Sequence, residues 1–282
     1  MNTAPYFMPS LLFFVYMSVL LLVGWRTRNA GFVDFGWPSG FTALAVYYGW
    51  AGEGNWLRTS LIVGMYVLCG MRFMVGWTVR TARDGEDRRW EFWRRRWRQG
   101  AGWLGIRSIA VNLFSFYHAQ TFATLTVLMV PLMLASNNDS PDLNAVEILA
   151  VCLWIFSFAM ENVADYQLDC FRRDVQHGES LCRTGLWRYS RHPNYFCEFL
   201  IWVAYTLFAF PSVGGSFDVL LLLLVPLTAY WFLVYFTGIP VAEQASLARR
   251  GAAYAQYQSE TNRFFPWFPK GNIPGRHDPG NG

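Results

Sequence analysis

Charged residues are scarce in this chain. Only 15% of its 282 residues are Asp, Glu, Lys or Arg, while 54% are hydrophobic and 18% aromatic. Soluble domains carry about 25% charged residues, so an ordinary water-facing surface is excluded and the polytopic membrane class is indicated. The five cysteines, Cys69, Cys152, Cys170, Cys182 and Cys197, include no CxxC pair, and the four histidines show no HxxxH or HxxE spacing. That speaks against a metal site and against a disulfide framework. There is no GxGxxG after a strand and no Walker A motif. Neither a Rossmann nor a P-loop domain is present, so any nucleotide must be held by a helical membrane pocket. No repeat of about 20–50 residues is visible. A cleavable signal is lacking as well, because the first apolar run is too long and has neither a basic segment before it nor a small-residue cleavage site.

What is present is a series of apolar runs near residues 6–25, 32–50, 59–79, 107–135, 144–168, 195–211 and 217–238. About 20 apolar residues span the hydrocarbon core as a helix. The pattern predicts an all-α, polytopic integral membrane bundle of about seven transmembrane helices. With the N-terminus outside, the loops near 51–58, 136–143 and 212–216 lie on the outer side and hold one basic residue, Arg58. Arg72 lies within a span, and the other 21 of the 23 Lys and Arg fall on the opposite side. The positive-inside rule then puts the N-terminus outside and the C-terminus in the cytoplasm. The net charge of +4 is an asymmetry across a membrane; basic residues beside spans predict membrane lipids as neighbours, with no nucleic acid. Residues 1–270 read as one membrane domain, and 271–282, rich in Gly, Pro and Asn, as a disordered tail. No obligate protein partner is evident.

The densest polar cluster is Gly185-Leu-Trp-Arg-Tyr-Ser-Arg-His-Pro-Asn-Tyr195, followed by Glu198, just ahead of an apolar run. Pro193 suits the first turn of a helix. That helix start offers free N–H groups and a positive dipole end. With Arg188, Arg191 and His192 around it, it has the chemistry to hold a phosphate or carboxylate at a membrane surface. Asn194 and Glu198 lie one turn apart on one face. On the fifth span Glu161, Asp165, Asp169 and Arg172 share a face. Such acids suit ribose hydroxyls. Asp34 begins span two, and Arg72 and Arg80 end span three. Each of these groups falls near the cytoplasmic end of its helix. Helix-end snorkelling and pairing explains a single arginine; convergence of acids and amides at one depth points to a site.

Two further segments admit two readings each. Residues 80–98 hold eight Arg and four acids, with Trp90, Trp93 and Trp97 on one helical stripe. That describes an amphipathic helix in the headgroup layer, and equally a set of arginines of which some hold a phosphate. Glu243, Arg250, Tyr254 and Tyr257 recur at near-helical spacing, as a lid packed on the bundle or as ligand contacts. Phe264-Phe-Pro-Trp-Phe-Pro269 reads as an interfacial aromatic anchor.

Ala164-Asp-Tyr-Gln-Leu168, Gly185 to Tyr195 with Glu198, Gly238-Ile-Pro240 with Glu243, then Tyr254, Tyr257 and Phe265-Pro-Trp-Phe-Pro269 together resemble the steroid 5α-reductase superfamily. More narrowly they resemble its bacterial branch, known as a domain of unknown function, which Gly85-Glu-Asp-Arg88 also fits. The likeness runs from about residue 30 to 270 and is most specific in the C-terminal half. It implies a seven-helix membrane reductase that uses NADPH to reduce the C=C bond of an enone in a steroid-like or isoprenoid lipid, in a bacterial inner membrane with the active site toward the cytoplasm. By position it implies cofactor contacts at Arg80, Arg83, Asp165, Arg172, Asn194 and Glu198. The family's carbonyl-polarising Glu corresponds to Asp34. Its span-three Tyr corresponds to Cys69, with Tyr66 one turn away as the candidate hydroxyl. Glu161 stands where the eukaryotic enzymes have Asn. The cofactor set is completed by Arg188, Arg191, His192, Tyr195, Tyr254 and Tyr257. A competing reading is an S-adenosylmethionine-dependent membrane methyltransferase of the isoprenylcysteine or phospholipid type, which shares an Arg-His-Pro…Tyr…Glu motif. The arginines after span three and the acids of span five favour the dinucleotide.

Overall fold

The computed structural model describes residues 4–102, 105–173 and 181–270. Every regular element among them is helical: α1 (Ala4–Thr27), α2 (Phe32–Ala51), α3 (Trp56–Asp84), α4 (Arg89–Arg98), α5 (Ile109–Ala123), α6 (Val130–Ala135), α7 (Ala145–Arg173), α8 (Pro193–Ala209), α9 (Ser216–Trp231), α10 (Ile239–Arg250) and α11 (Ala252–Glu260). A π turn, Thr124–Leu128, joins α5 to α6, and another, Phe232–Phe236, joins α9 to α10. Helix thus stands at each of the seven apolar runs. Six helical stretches are long and apolar enough to cross a membrane, which makes this an integral membrane protein by length and composition. Helix α2 is not among the six; Asp34, Gly36, Pro38, Ser39 and Thr42 dilute its apolar content. The outward side chains fit a lipid solvent: Phe7, Leu11, Leu12, Val19 and Leu22 of α1 are all exposed.

Local chemistry explains where these helices start and stop. The Asn55 side chain accepts from the backbone N–H groups of Leu57 and Arg58 and opens α3. Gly85, at φ 74°, closes it. Asn144 and Glu147 form a capping box on α7: Asn144 Oδ1 accepts from Glu147 N at 3.0 Å, and Glu147 Oε2 accepts from Asn144 N at 2.8 Å.

The chain divides into two compact units, Met1–Trp154 with Ile201–Ala229, and Ile155–Leu200 with Tyr230–Gly282. In the first, α2 packs along α1 and α3, and α1 packs along α5. A Cβ at Gly40 would fall 2.0 Å from the Phe13 ring, and one at Gly70 would fall 1.9 Å from Thr42 Oγ1. Glycine is what lets these helices approach, as membrane helices do through small residues. The three loops assigned to the outer side are knit together in this unit. Gly54 N donates to Ser136 O at 2.9 Å, Asn55 N to Asn138 O at 2.8 Å, and Asn138 Nδ2 to Ser212 Oγ at 2.9 Å.

Arg58, the lone basic residue of those loops, is 1% exposed. It pairs with Glu147, and its guanidinium donates to the carbonyls of Asn138 (3.2 Å), Ser140 (2.8 Å) and Asp142 (2.7 Å). One buried cation thereby folds the 138–147 segment. At the other end of the same unit, Glu86 accepts from Ala30 N at 2.6 Å and pairs with Arg94. The Trp stripe of α4 turns toward the protein. Trp90 and Trp97 are buried, and Trp90 meets the Phe116 ring at 5.1 Å. The α5 helix offers these rings an aromatic face, while Arg89 and Arg94 of α4 pair with Asp34 and Glu86.

In the second unit the surface helix expected over 243–257 is broken in two. Gly251, at φ 50°, ends α10 and starts α11. The tail 271–282 lies outside the described residues.

Candidate cofactor-binding site

The site is built on the C-terminal half of α7. The chain before α8 is docked on residues 164–168 of that helix. Gln167 Oε1 accepts from Leu186 N at 2.9 Å, and Trp187 Nε1 donates to Ala164 O at 2.9 Å. Gly185 makes the turn between them with φ 57°, and a Cβ there would fall 2.4 Å from Gln167 Oε1. This position requires glycine for both conformation and space. The strap delivers Pro193 to the first turn of α8 and Asn194 to α7, where Asn194 Nδ2 donates to Asp165 Oδ1 at 3.0 Å. Two residues 29 apart in sequence, assigned to one site from their motifs, are therefore in direct contact.

The remaining groups differ in character. Glu161, one turn before Asp165, is buried; Tyr195 and Glu198 are partly buried. Asn194 Oδ1 is buried without a hydrogen-bond partner, an acceptor whose need a ligand hydroxyl or amide would meet. Arg172 and Arg188 are exposed, with the Arg188 guanidinium 5.9 Å from the Tyr189 ring centre. The cluster offers acceptors within and cations at its rim, a donor set that fits a ribose bearing phosphates.

Arg191 and His192 are used differently from the anion site expected of them. Both are buried and turned onto Glu243. Arg191 Nε donates to Glu243 Oε1 at 2.7 Å, and Nη1 donates to Gln258 O at 2.9 Å and to Thr261 O. His192 Nε2 lies 3.3 Å from the same carboxylate oxygen, whose partner oxygen accepts from Gln258 Nε2 at 3.0 Å. A guanidinium committed to a carboxylate and two carbonyls has little left for a phosphate. Burial pushes the His192 pKa below its usual value, against the opposing pull of Glu243. His192 is neutral at neutral pH and stacks on Tyr195, ring centres 5.5 Å apart.

The C-terminal tyrosines resolve toward packing. Tyr257 donates to Trp187 O at 2.6 Å, and Arg183 pairs with Glu260 at 2.6 Å, so α11 is pinned to the strap. Burial raises the Tyr254 phenol to about 12. Both hydroxyls stay protonated, and that of Tyr257 is spent on the Trp187 carbonyl.

The catalytic candidates belong to the first unit, where each has partners within the protein. The Asp34 carboxylate accepts from Arg89 Nη2 at 3.3 Å and Trp90 Nε1 at 3.4 Å, so it fastens α4 to α2. The Tyr66 hydroxyl donates to Leu128 O at 2.7 Å, a carbonyl at the end of the π turn, and its ring stacks on Tyr205 at 4.0 Å. No hydrogen bond joins Asp34 to Tyr66. Arg80 and Arg83 are exposed on the last turns of α3, Arg83 beside Asp84 at 2.9 Å. Nearby Asp87 is held below the usual carboxylate value, because the charge and hydrogen bonds of Arg89 outweigh the opposing effect of burial.

Sequence reasoning passed over Gln167, Trp187 and the partners of Glu243. The signal for Trp187 and Gln167 lay inside the quoted motifs. The ligands of Arg191 are mostly backbone carbonyls, which leave no trace in a sequence.

A family model described as a protein of unknown function, DUF1295, matches residues 20–261, and the chain belongs to that family. The chain is also similar to an uncharacterized protein, C594.04c, of Schizosaccharomyces pombe. The two are 27% identical over 298 residues, covering 94% of this chain and 80% of the relative. No solved structure matches.

Proposed function

We propose that this chain is a membrane-embedded, NADPH-dependent oxidoreductase that reduces the C=C bond of an enone in a steroid-like or isoprenoid lipid, as a member of the steroid 5α-reductase superfamily. Seven spans, an outer N-terminus and a cytoplasmic site in a bacterial inner membrane complete the reading. The observation that carries it is the Asp165–Asn194 hydrogen bond, because it joins the two motifs of the resemblance through the residues assigned to cofactor.

NADPH would supply the hydride. Asp165, Asn194, Glu161 and Glu198 are the residues to accept and donate hydrogen bonds around its sugars, with Arg172 and Arg188 toward phosphate. Tyr195 is held against His192 and follows Asn194 in the chain. Enone reduction also needs a hydrogen-bond donor at the substrate oxygen. The Tyr66 hydroxyl donates to Leu128 O and one oxygen of Asp34 meets Arg89 and Trp90, so substitution at each tests whether it takes that role.

The test is calorimetry on the detergent-solubilised chain with NADPH, NADH and S-adenosylmethionine. NADPH is expected to bind more tightly than NADH. Asp165→Ala and Asn194→Ala should each weaken it by about 5–150-fold, the equivalent of ~1–3 kcal/mol for a lost polar contact. Tight binding of S-adenosylmethionine in place of NADPH would transfer the site to the methyltransferase reading.

A further inference from the structure

The second unit carries an open groove of 390 Å³ that the cofactor site does not use. One wall is the end of α9 and the π turn, with Tyr230, Val234 and Tyr235; the other is the 262–267 segment, with Arg263, Phe265 and Trp267. No lining residue is acidic, and Arg263 is the sole cation among them.

The arginine is held but not satisfied. Arg263 Nη2 donates to Val234 O at 3.0 Å, a carbonyl within the π turn. Its Nε is buried with no hydrogen-bond partner. Among the described residues no carboxylate lies within salt-bridge distance of it. A guanidinium has five N–H donors in a fixed fork, and the backbone anchor leaves most of that fork for an anion. A buried donor left without a partner is costly, and the terminal N–H groups not spent on Val234 O are the ones an oxyanion in the groove would meet.

The surroundings say which anion. Tyr235, Phe265 and Trp267 are 59%, 59% and 69% exposed. They gather where the apolar run of residues 217–238 gives out, within the stretch Ser216–Arg250 that is long enough to cross a membrane. Exposed aromatic rings at such a helix end sit at the headgroup level of a bilayer. A cation with no balancing acid, rimmed by rings at that level, matches a phosphate that carries net charge and has a glycerol and acyl chain attached.

We propose that this groove binds the headgroup phosphate of an anionic membrane phospholipid, with Arg263 as the phosphate ligand and Tyr235, Phe265 and Trp267 against the glycerol and upper acyl carbons. The proposal rests on the membrane assignment and is independent of the cofactor reading.

The test is native mass spectrometry of the full chain in detergent, titrated separately with phosphatidylglycerol, phosphatidylcholine and inorganic phosphate. Phosphatidylglycerol should be retained about tenfold more tightly than phosphatidylcholine, which corresponds to about 1.4 kcal/mol. Arg263→Gln should abolish that preference and Arg263→Lys should keep part of it. Trp267→Ala, at an exposed position that leaves the fold intact, should weaken retention of phosphatidylglycerol several-fold, and it decides the matter if Arg263→Gln fails to fold. Unchanged phosphatidylglycerol retention in Trp267→Ala together with an unchanged preference in any folded Arg263 variant would overturn the proposal. So would displacement of the lipid by millimolar inorganic phosphate, which would make this a free-phosphate site, or a preference for phosphatidylcholine.

Discussion

Replacing Arg191 by Gln separates a structural cation from a phosphate ligand. In the folded chain Arg191 is 8% exposed and Glu243 is 9% exposed. The substitution removes the Arg191 Nε–Glu243 contact at 2.7 Å and the donors to the carbonyls of Gln258 and Thr261. Among the described residues Glu243 then keeps His192 and Gln258 as partners, and His192 is neutral. Breaking a buried ion pair by removing one member costs about 3–5 kcal/mol, because the other charge is stranded. The backbone contact from Arg191 N to Asn262 O at 2.8 Å survives, which sets the loss nearer the lower figure. Equilibrium unfolding in mixed micelles, followed by tryptophan emission, measures it. Glu243→Gln should cost a similar amount, and the double variant less than the sum of the two, since each single change strands the other group. A fully stable Arg191→Gln chain with much weaker NADPH binding would refute the structural assignment and return Arg191 to the cofactor.

Three further outcomes follow from the same geometry. The unfolded chain takes up a proton at His192 near pH 6.5, whereas burial delays that uptake in the folded chain; the unfolded state therefore binds more protons below that pH, and stability should fall as pH drops below about 6.5, an acid sensitivity that His192→Gln should reduce in pH-dependent unfolding. Gly185→Ala meets both a left-handed φ of 57° and a contact of 2.4 Å with Gln167; a loss of about 1–3 kcal/mol and faster proteolysis of the 181–192 strap are expected, and wild-type behaviour in limited proteolysis would show the strap is not held at Gly185. Asp34→Asn keeps the shape of the side chain and removes the charge facing Arg89, so a cost of about 1 kcal/mol or less and near-normal turnover in an NADPH-oxidation assay are expected; a fall of about 10²–10⁴-fold with unchanged stability would instead make Asp34 the acid.

Composition and periodicity were sufficient for helical class and membrane residence, because lipid forces each span to satisfy its own backbone and to be apolar over a fixed length. Short-range chemistry was legible where Pro193 opens α8, because its missing N–H suits a first helical turn. The Asp165–Asn194 contact could be anticipated only through motif resemblance, since 29 residues separate the two and no local rule links them. What tertiary structure alone decided is how each cation is used. Arg58, Arg191 and Arg263 look alike in a sequence. Arg58 is consumed by Glu147 and three loop carbonyls, Arg191 by Glu243 and two carbonyls, and Arg263 by a single carbonyl of a π turn, with its Nε left over. Backbone acceptors are present at every residue whatever its side chain, so which of them a guanidinium meets depends on the folded path of the chain and is not written in any residue pattern.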